Sequence, residues 1–146
     1  MCAQGRPGET EHGARFFAGE VSDAYLQRRN IQRGYSVVIW RGRHVADLTE
    51  LTDTDAATYF REVLTVTRAL ESHYKPAKLN LEMLGNTVPH LHTHVIPRYV
   101  TDDSPGEPAR FMRQPDLHRE PIADAGFHRD VAALRVALAS RPQKTA

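Results

Sequence analysis

Cysteine is almost absent from this sequence: among 146 residues there is one, Cys2. No internal disulfide can form and no cysteine-based zinc site can be assembled, which points to a reducing, cytoplasmic setting. Long apolar runs are missing as well. Nothing approaches the roughly 20 residues needed to cross a bilayer, and residues 1–11 lack the apolar segment of a secretory signal, so no membrane partner is expected. Excess charge is lacking too, with 19 Lys and Arg against 18 Asp and Glu and a formal net charge of +1. No long-range field draws the molecule to nucleic acid, so any recognition of phosphate must be local.

The rest is the composition of an ordinary globular domain, 40% hydrophobic and 25% charged, on a chain long enough for one core. Residues 1–15 and 139–146 show no periodicity and read as flexible tails, leaving one domain over residues 16–138. Residues 20–32 fit one or two short strands around a turn, and the β-branched, aromatic run at 34–40 predicts a mostly buried strand. Over residues 54–74 the spacing of Phe60, Val63, Leu64, Leu70 and Tyr74, with Thr67 on the same stripe, predicts a long helix. Thr52 supplies its N-cap, Asp53 and Asp55 suit its dipole, and Pro76 marks its end. Leu79, Leu81 and Met83 alternate with their neighbours, Gly85-Asn86 signals a turn, and a second alternating run covers His90 to Ile96; together these predict a β-hairpin. Residues 100–126 read as a surface excursion, followed by a short helix carrying Phe127, Val131, Leu134 and Leu138.

The chemistry concentrates in the second hairpin strand. Alternation puts His90, His92 and His94 on one face, with neighbours about 6.6 Å apart and the outer pair about 13 Å apart. Two such rings can share a zinc ion, but the third cannot easily join, and further ligands would have to come from His44, His73, His118, His128 or a carboxylate. Phosphoryl chemistry suits the row better. A neutral imidazole can attack phosphorus while its neighbours donate to the oxygens that gain charge. Histidines facing solvent on an amphipathic strand are the plain alternative.

The segment His90-Leu91-His92-Thr93-His94-Val95-Ile96 resembles the histidine triad (HIT) family, whose pattern is His-φ-His-φ-His-φ-φ with φ apolar. The similarity extends through Gly85-Asn86-Thr87-Val88-Pro89 before it and Pro97-Arg98 after it. It also takes in Arg33-Gly34, Arg43-His44 and residues 48–51. The resemblance implies a small α+β fold with a five-stranded antiparallel sheet, commonly in a homodimer. It implies a nucleotide hydrolase or nucleotidyltransferase in which His92 attacks an α-phosphate and forms a nucleotidyl-histidine intermediate, with no cofactor or metal in the chemical step. His90 and His94 then orient the nucleophile and contact phosphate, and Asn86 and Thr87 bind phosphate oxygens. Asn80, Gln27 and His44 stand near further substrate-binding positions of the family, and Val38 and Trp40 are candidate base contacts, although such residues more often belong to a core. Dinucleoside polyphosphates such as diadenosine tetraphosphate, nucleoside phosphoramidates and related adenylates are the expected substrates. Thr93 departs from the pattern by standing where an apolar residue is usual. After Arg98 no family site residue is identifiable, and Arg110, Arg113, His118 and Arg119 read as solvated surface.

Overall fold

The computed structural model describes residues 5–29, 31–109 and 122–140. Five antiparallel strands form one sheet: β1 (Gly13–Ala18), β2 (Ser22–Gln27), β3 (Ser36–Trp40), β4 (Lys78–Glu82) and β5 (His92–Arg98), in the spatial order β1-β2-β3-β5-β4. Helix α1 (Asp53–Tyr74) connects β3 to β4, preceded by a 3-10 turn at Leu48–Glu50, and α2 (Asp124–Ala139) follows β5. This is the expected α+β arrangement. Among the described residues no helix is long and apolar enough to cross a membrane.

The sheet divides the molecule into two faces. Alternation along β3 sends Val38 and Trp40 to one side and Val37 and Ile39 to the other, and all of them are buried. The first side joins Ala24, Leu26 and Val95 to Val63, Val66 and Leu70 of α1 and to Phe127, Val131 and Leu134 of α2, forming the main core. A smaller cluster of Tyr25, Tyr35, Val37, Ile39, Ile96 and Ala109 lies on the second side. Among the described residues no helix covers that second side, and the candidate site is found there.

Helix α1 begins as the sequence predicts, with the Thr52 hydroxyl accepting from Asp55 N at 3.1 Å and two acidic residues in the first turn. Its buried stripe differs from the expected one. Tyr59, Val63, Val66, Ala69, Leu70 and Tyr74 face the sheet, whereas Phe60 and Leu64 are 44% and 45% exposed. The physical reason is Tyr59, whose hydroxyl bonds Val38 O and Thr93 Oγ1. With its polar end satisfied, the tyrosine can be buried completely and the helix turns to place it there.

Strand boundaries also move. β1 begins at Gly13, ahead of the expected domain start at residue 16, and the chain before it is bonded rather than loose. Glu9 bridges Ala14, and Pro7 O accepts from Tyr25 Oη. β5 begins at His92 instead of His90. His90 N bonds Val88 O across a three-residue turn that holds Pro89, so the backbone at His90 is folded back and joins no ladder. At the other end, residues 124–126 of the expected excursion belong to α2, and residue 139 closes that helix.

The short connection into β3 is built on Gly34, which has a φ of 79° and lies where an added Cβ would meet the Tyr74 ring at 2.6 Å. Only glycine meets both demands. It allows β3 to start beneath the end of α1.

Candidate active site

Sheet register assembles the site. His92 lies opposite Ile39 and His94 opposite Val37, while Ile39 and Val37 lie opposite Asp23 and Tyr25 of β2. These side chains share the face that the helices leave open. Above them is a cavity of about 580 Å³, with His92, His94, Val37, Ile39, Tyr25 and Gln27 among its walls. Its rim is the turn after β4, where Gly85 takes a φ of 76°. Asn86 and Thr87 of that turn are exposed and border the cavity.

The histidines are held by one chain of hydrogen bonds. His90 Nε2 bonds Trp40 O at 2.8 Å, and His92 Nδ1 bonds His90 O at 2.6 Å. A carbonyl oxygen only accepts, so both of those ring nitrogens carry a proton, and in neutral His92 the lone pair is on Nε2. That atom is 3.0 Å from His94 Nε2. The proton between them must then come from His94, which leaves His94 Nδ1 to accept from Tyr35 Oη at 2.7 Å.

Electrostatics favours the same assignment. Burial, with the neighbouring His92 charge second, pushes His94 down to about 4, so its ring is neutral at physiological pH. Burial, and secondarily Glu82, pushes Tyr35 upward, so its hydroxyl keeps the proton it donates. His90 is also lowered, mainly by burial, against the opposing bond to the Trp40 carbonyl.

The three histidines are therefore not a simple row on one strand face. The His92 and His94 rings converge edge to face with centroids 4.7 Å apart, closer than strand spacing alone gives. His90 turns to Trp40 and borders a second, smaller cavity with Leu48, Met83 and Leu84. His44 is exposed, with its ring centroid 5.6 Å from that of His90.

Gln27, Asn86 and Thr87 border the main cavity. Asn80 does not: it lies opposite Ile96, two residues beyond His94, and its Oδ1 accepts from Arg98 Nη1 at 3.3 Å. Val38 and Trp40 are also excluded from base contact. Both are buried in the core on the helix side, and Trp40 Nε1 donates to Arg43 O. The distant histidines proposed as zinc ligands sit apart, His73 on Asp130 and His128 on Glu9. Among the described residues, no group of three His, Cys, Asp or Glu side chains stands close enough to hold a metal ion. Arg110, Arg113, His118 and Arg119 lie outside the described residues.

Sequence reading missed Tyr35, Tyr25, Asp23 and Arg41. The one available signal was alternation, which places Tyr35, Val37, Ile39 and Arg41 on one side and so opposite to Val38 and Trp40.

Comparison with known proteins agrees with this architecture. The HIT domain family model matches residues 13–101. "Protein hit" of Bacillus subtilis is 33% identical over 98 residues, covering 64% of this chain and 67% of that protein. A bis(5'-adenosyl)-triphosphatase of Saccharomyces cerevisiae is 29% identical over 89 residues, covering 58% of this chain and 43% of that enzyme, so the chain spans less than half of the yeast protein's length. A crystal structure of a histidine triad protein from Bradyrhizobium japonicum superposes with a TM-score of 0.77 at 23% identity, over 88% of this chain and 92% of that one, and shares the fold. With the family match spanning the whole sheet, from β1 through β5, the chain belongs to the HIT domain family.

Proposed function

We propose that this protein cleaves nucleotides at the α-phosphate, with His92 Nε2 as the nucleophile. The observation that carries the reading is the fixed tautomer of His92. Its Nδ1 proton is committed to His90 O at 2.6 Å, which directs the Nε2 lone pair toward the cavity wall shared with His94. Attack forms a P–N bond and breaks the bond from phosphorus to the leaving group. The positive charge that develops on the ring is spread through Nδ1–H to the His90 carbonyl. As phosphorus enters between the two rings, His94 Nε2–H keeps its proton and redirects its hydrogen bond from His92 to a phosphoryl or leaving-group oxygen. Asn86 and Thr87 supply donors for the remaining oxygens. Water, or another acceptor such as phosphate, then breaks the P–N bond, releases the nucleoside monophosphate unit and restores His92.

Dinucleoside polyphosphates, nucleoside phosphoramidates and adenylates all present such a phosphorus. The triphosphatase name of the yeast relative favours the first. The active form in this reading is a homodimer, supported by apolar side chains exposed on and beside the edge strand β4: Leu81 at 52%, Leu84 at 47% and Met83 at 37%.

Rapid-quench mixing with diadenosine triphosphate followed by intact mass spectrometry is the test. The expected result is a transient adduct of one AMP unit that maps to His92. His92→Ala should lose the adduct and turnover while retaining nucleotide binding. An adduct that persists in His92→Ala would overturn the assignment, and binding without any adduct or turnover in the unmodified chain would mark a silent nucleotide-binding module.

A further inference from the structure

The cavity over the histidines is chemically asymmetric along the strands. One end is formed by Gln27, Gly13 and Tyr35, an amide, a backbone edge and a ring. At the other end stands Arg41, two residues past Ile39 and on the same face. Among the described residues that border the cavity, Arg41 is the one permanent cation. Along β3 these ends, at Tyr35 and Arg41, are six residues of strand apart, about 20 Å. His92, opposite Ile39, lies nearer the cationic end, and His94, opposite Val37, nearer the amide end.

Arg41 is built in. Its side chain is 9% exposed, and Nε bonds Asp23 Oδ2 at 3.0 Å. Nη2 donates to Tyr25 Oη at 3.3 Å, and the guanidinium lies 5.7 Å from the centroid of that ring. These bonds use Nε and one side of Nη2. Among the described residues Nη1 has no hydrogen-bond partner, so a planar fork of donors remains available.

Asp23 does not cancel the charge. It is fully buried and is reached by three guanidinium groups, Arg6 at 2.6 Å, Arg41 at 3.0 Å and Arg15 at 3.5 Å. Three positive charges face one negative. Glu62 points its oxygens at Glu20 N, Val21 N and the Ser22 hydroxyl, and counting it as well still leaves the balance positive. A buried carboxylate shared with two further guanidinium groups fixes Arg41 in place without neutralising it, and Arg41 is the member of the cluster that borders the cavity, where its charge complements an anion.

Register gives the reach. Asp23, Ile39 and His92 lie in one line across β2, β3 and β5, so the guanidinium over β2 stands about two strand spacings, roughly 9.6 Å, from the β5 backbone that carries His92. A phosphate seated on His92 Nε2 lies between them. The next phosphate of a polyphosphate chain would have Arg41 as the cation bordering its path.

We propose that Arg41, set in place by Asp23, binds the phosphate that follows the attacked one, and so makes the site selective for nucleotides whose α-phosphate carries a further phosphate group. The proposal rests on the reading of His92 as the atom that meets the α-phosphate. It separates two substrate classes left open above. Polyphosphate-linked nucleotides engage Arg41, whereas phosphoramidates with an uncharged leaving group give it nothing to bind.

Equilibrium binding tests this without turnover. The full chain is titrated calorimetrically with AMP and with α,β-methylene-ADP, which differ by the added phosphonate and cannot be cleaved between the two phosphorus atoms. The unmodified protein should bind the methylene compound at least tenfold more tightly. In Arg41→Gln the ratio should fall to within twofold of unity. Arg41→Lys, which keeps charge but not the fork, should retain part of it. Equal affinities in the unmodified chain would overturn the proposal, as would a preference that survives in folded Arg41→Gln. If Arg41→Gln fails to fold, the unmodified ratio and Arg41→Lys still decide the matter, since an unchanged ratio in the lysine variant counts against the fork. Loss of the His92 adduct in the quench experiment with this preference intact would instead fault the chemistry and not the phosphate site.

Discussion

Tyr35 decides which nitrogen of His94 carries the proton. Without its hydroxyl, His94 Nδ1 loses the donor 2.7 Å away, and the tautomer that presents Nε2–H to His92 is no longer favoured. Tyr35→Phe keeps the ring and its stacking on His94 at a centroid distance of 5.9 Å. The expected effect is a fall in kcat on the order of tenfold, less than the roughly hundredfold or more that losing a whole general acid or base costs, because the His94 proton is misplaced rather than removed, with KM little changed. Steady-state kinetics across pH 4 to 8 would check this. An unchanged kcat would show that Tyr35 serves packing alone. The same histidine makes stability depend on pH. Its folded value is about 4 against an ordinary 6.5, so between these values the unfolded chain binds the extra proton. Stability is complete above pH 6.5 and is lost as the pH falls toward 4, by on the order of 2 kcal/mol. Denaturant titrations at pH 7 and pH 5 should show this loss, and His94→Gln should reduce it.

Between elements, the bond from Tyr59 of α1 to Thr93 of β5 joins the helix to the back of the strand that carries the site, at 2.8 Å and with both residues almost fully buried. Tyr59→Phe leaves the Thr93 hydroxyl without that partner and should cost about 1–3 kcal/mol in urea unfolding. Tyr59→Phe combined with Thr93→Val should recover part of the loss, because both partners are then apolar. This pair also shows what the sequence made legible. The helix cap at Thr52, the two histidines on β5 and the Gly85-Asn86-Thr87 turn were all readable because each depends on residues within a few positions of one another. The phase of α1 was not, since Tyr59 is buried only through partners 21 and 34 residues away. Thr93 looked like a slightly polar flaw in the back of the sheet and is instead the acceptor or donor for Tyr59. Tyr35 on His94 and Arg41 on Asp23 were hidden for the same reason, being products of strand register across β2, β3 and β5. Asn80 was misplaced because alternation gives its face but not its position along the ladder.

At the scale of the whole molecule, one edge of the sheet is closed and the other open. β1 has the Glu9 to Ala14 bridge beside it and α2 against it, with Arg135 bonded to Arg15 O. β4 has β5 on one side and, among the described residues, no strand on the other. Its neighbourhood exposes Leu81, Met83, Leu84 and Val88, and α1 exposes Phe60 and Leu64. Leu81 lies opposite Val95, so it points to the same side of the sheet as α1. An unpaired edge with apolar side chains beside it is a template for a second chain, and two copies paired there through a twofold axis would cover it on both. The sedimentation velocity of the unmodified protein at micromolar concentration should therefore give twice the chain mass. Leu81→Glu and Phe60→Glu, each placing charge in that contact, should shift the distribution to monomer and remove the concentration dependence of the melting temperature. Because Leu84 and Gly85 lead directly into Asn86 and Thr87 at the cavity rim, the monomeric variants should also bind nucleotide more weakly. A monomer in the unmodified protein, with full nucleotide affinity, would show that the rim needs no second chain to hold its shape.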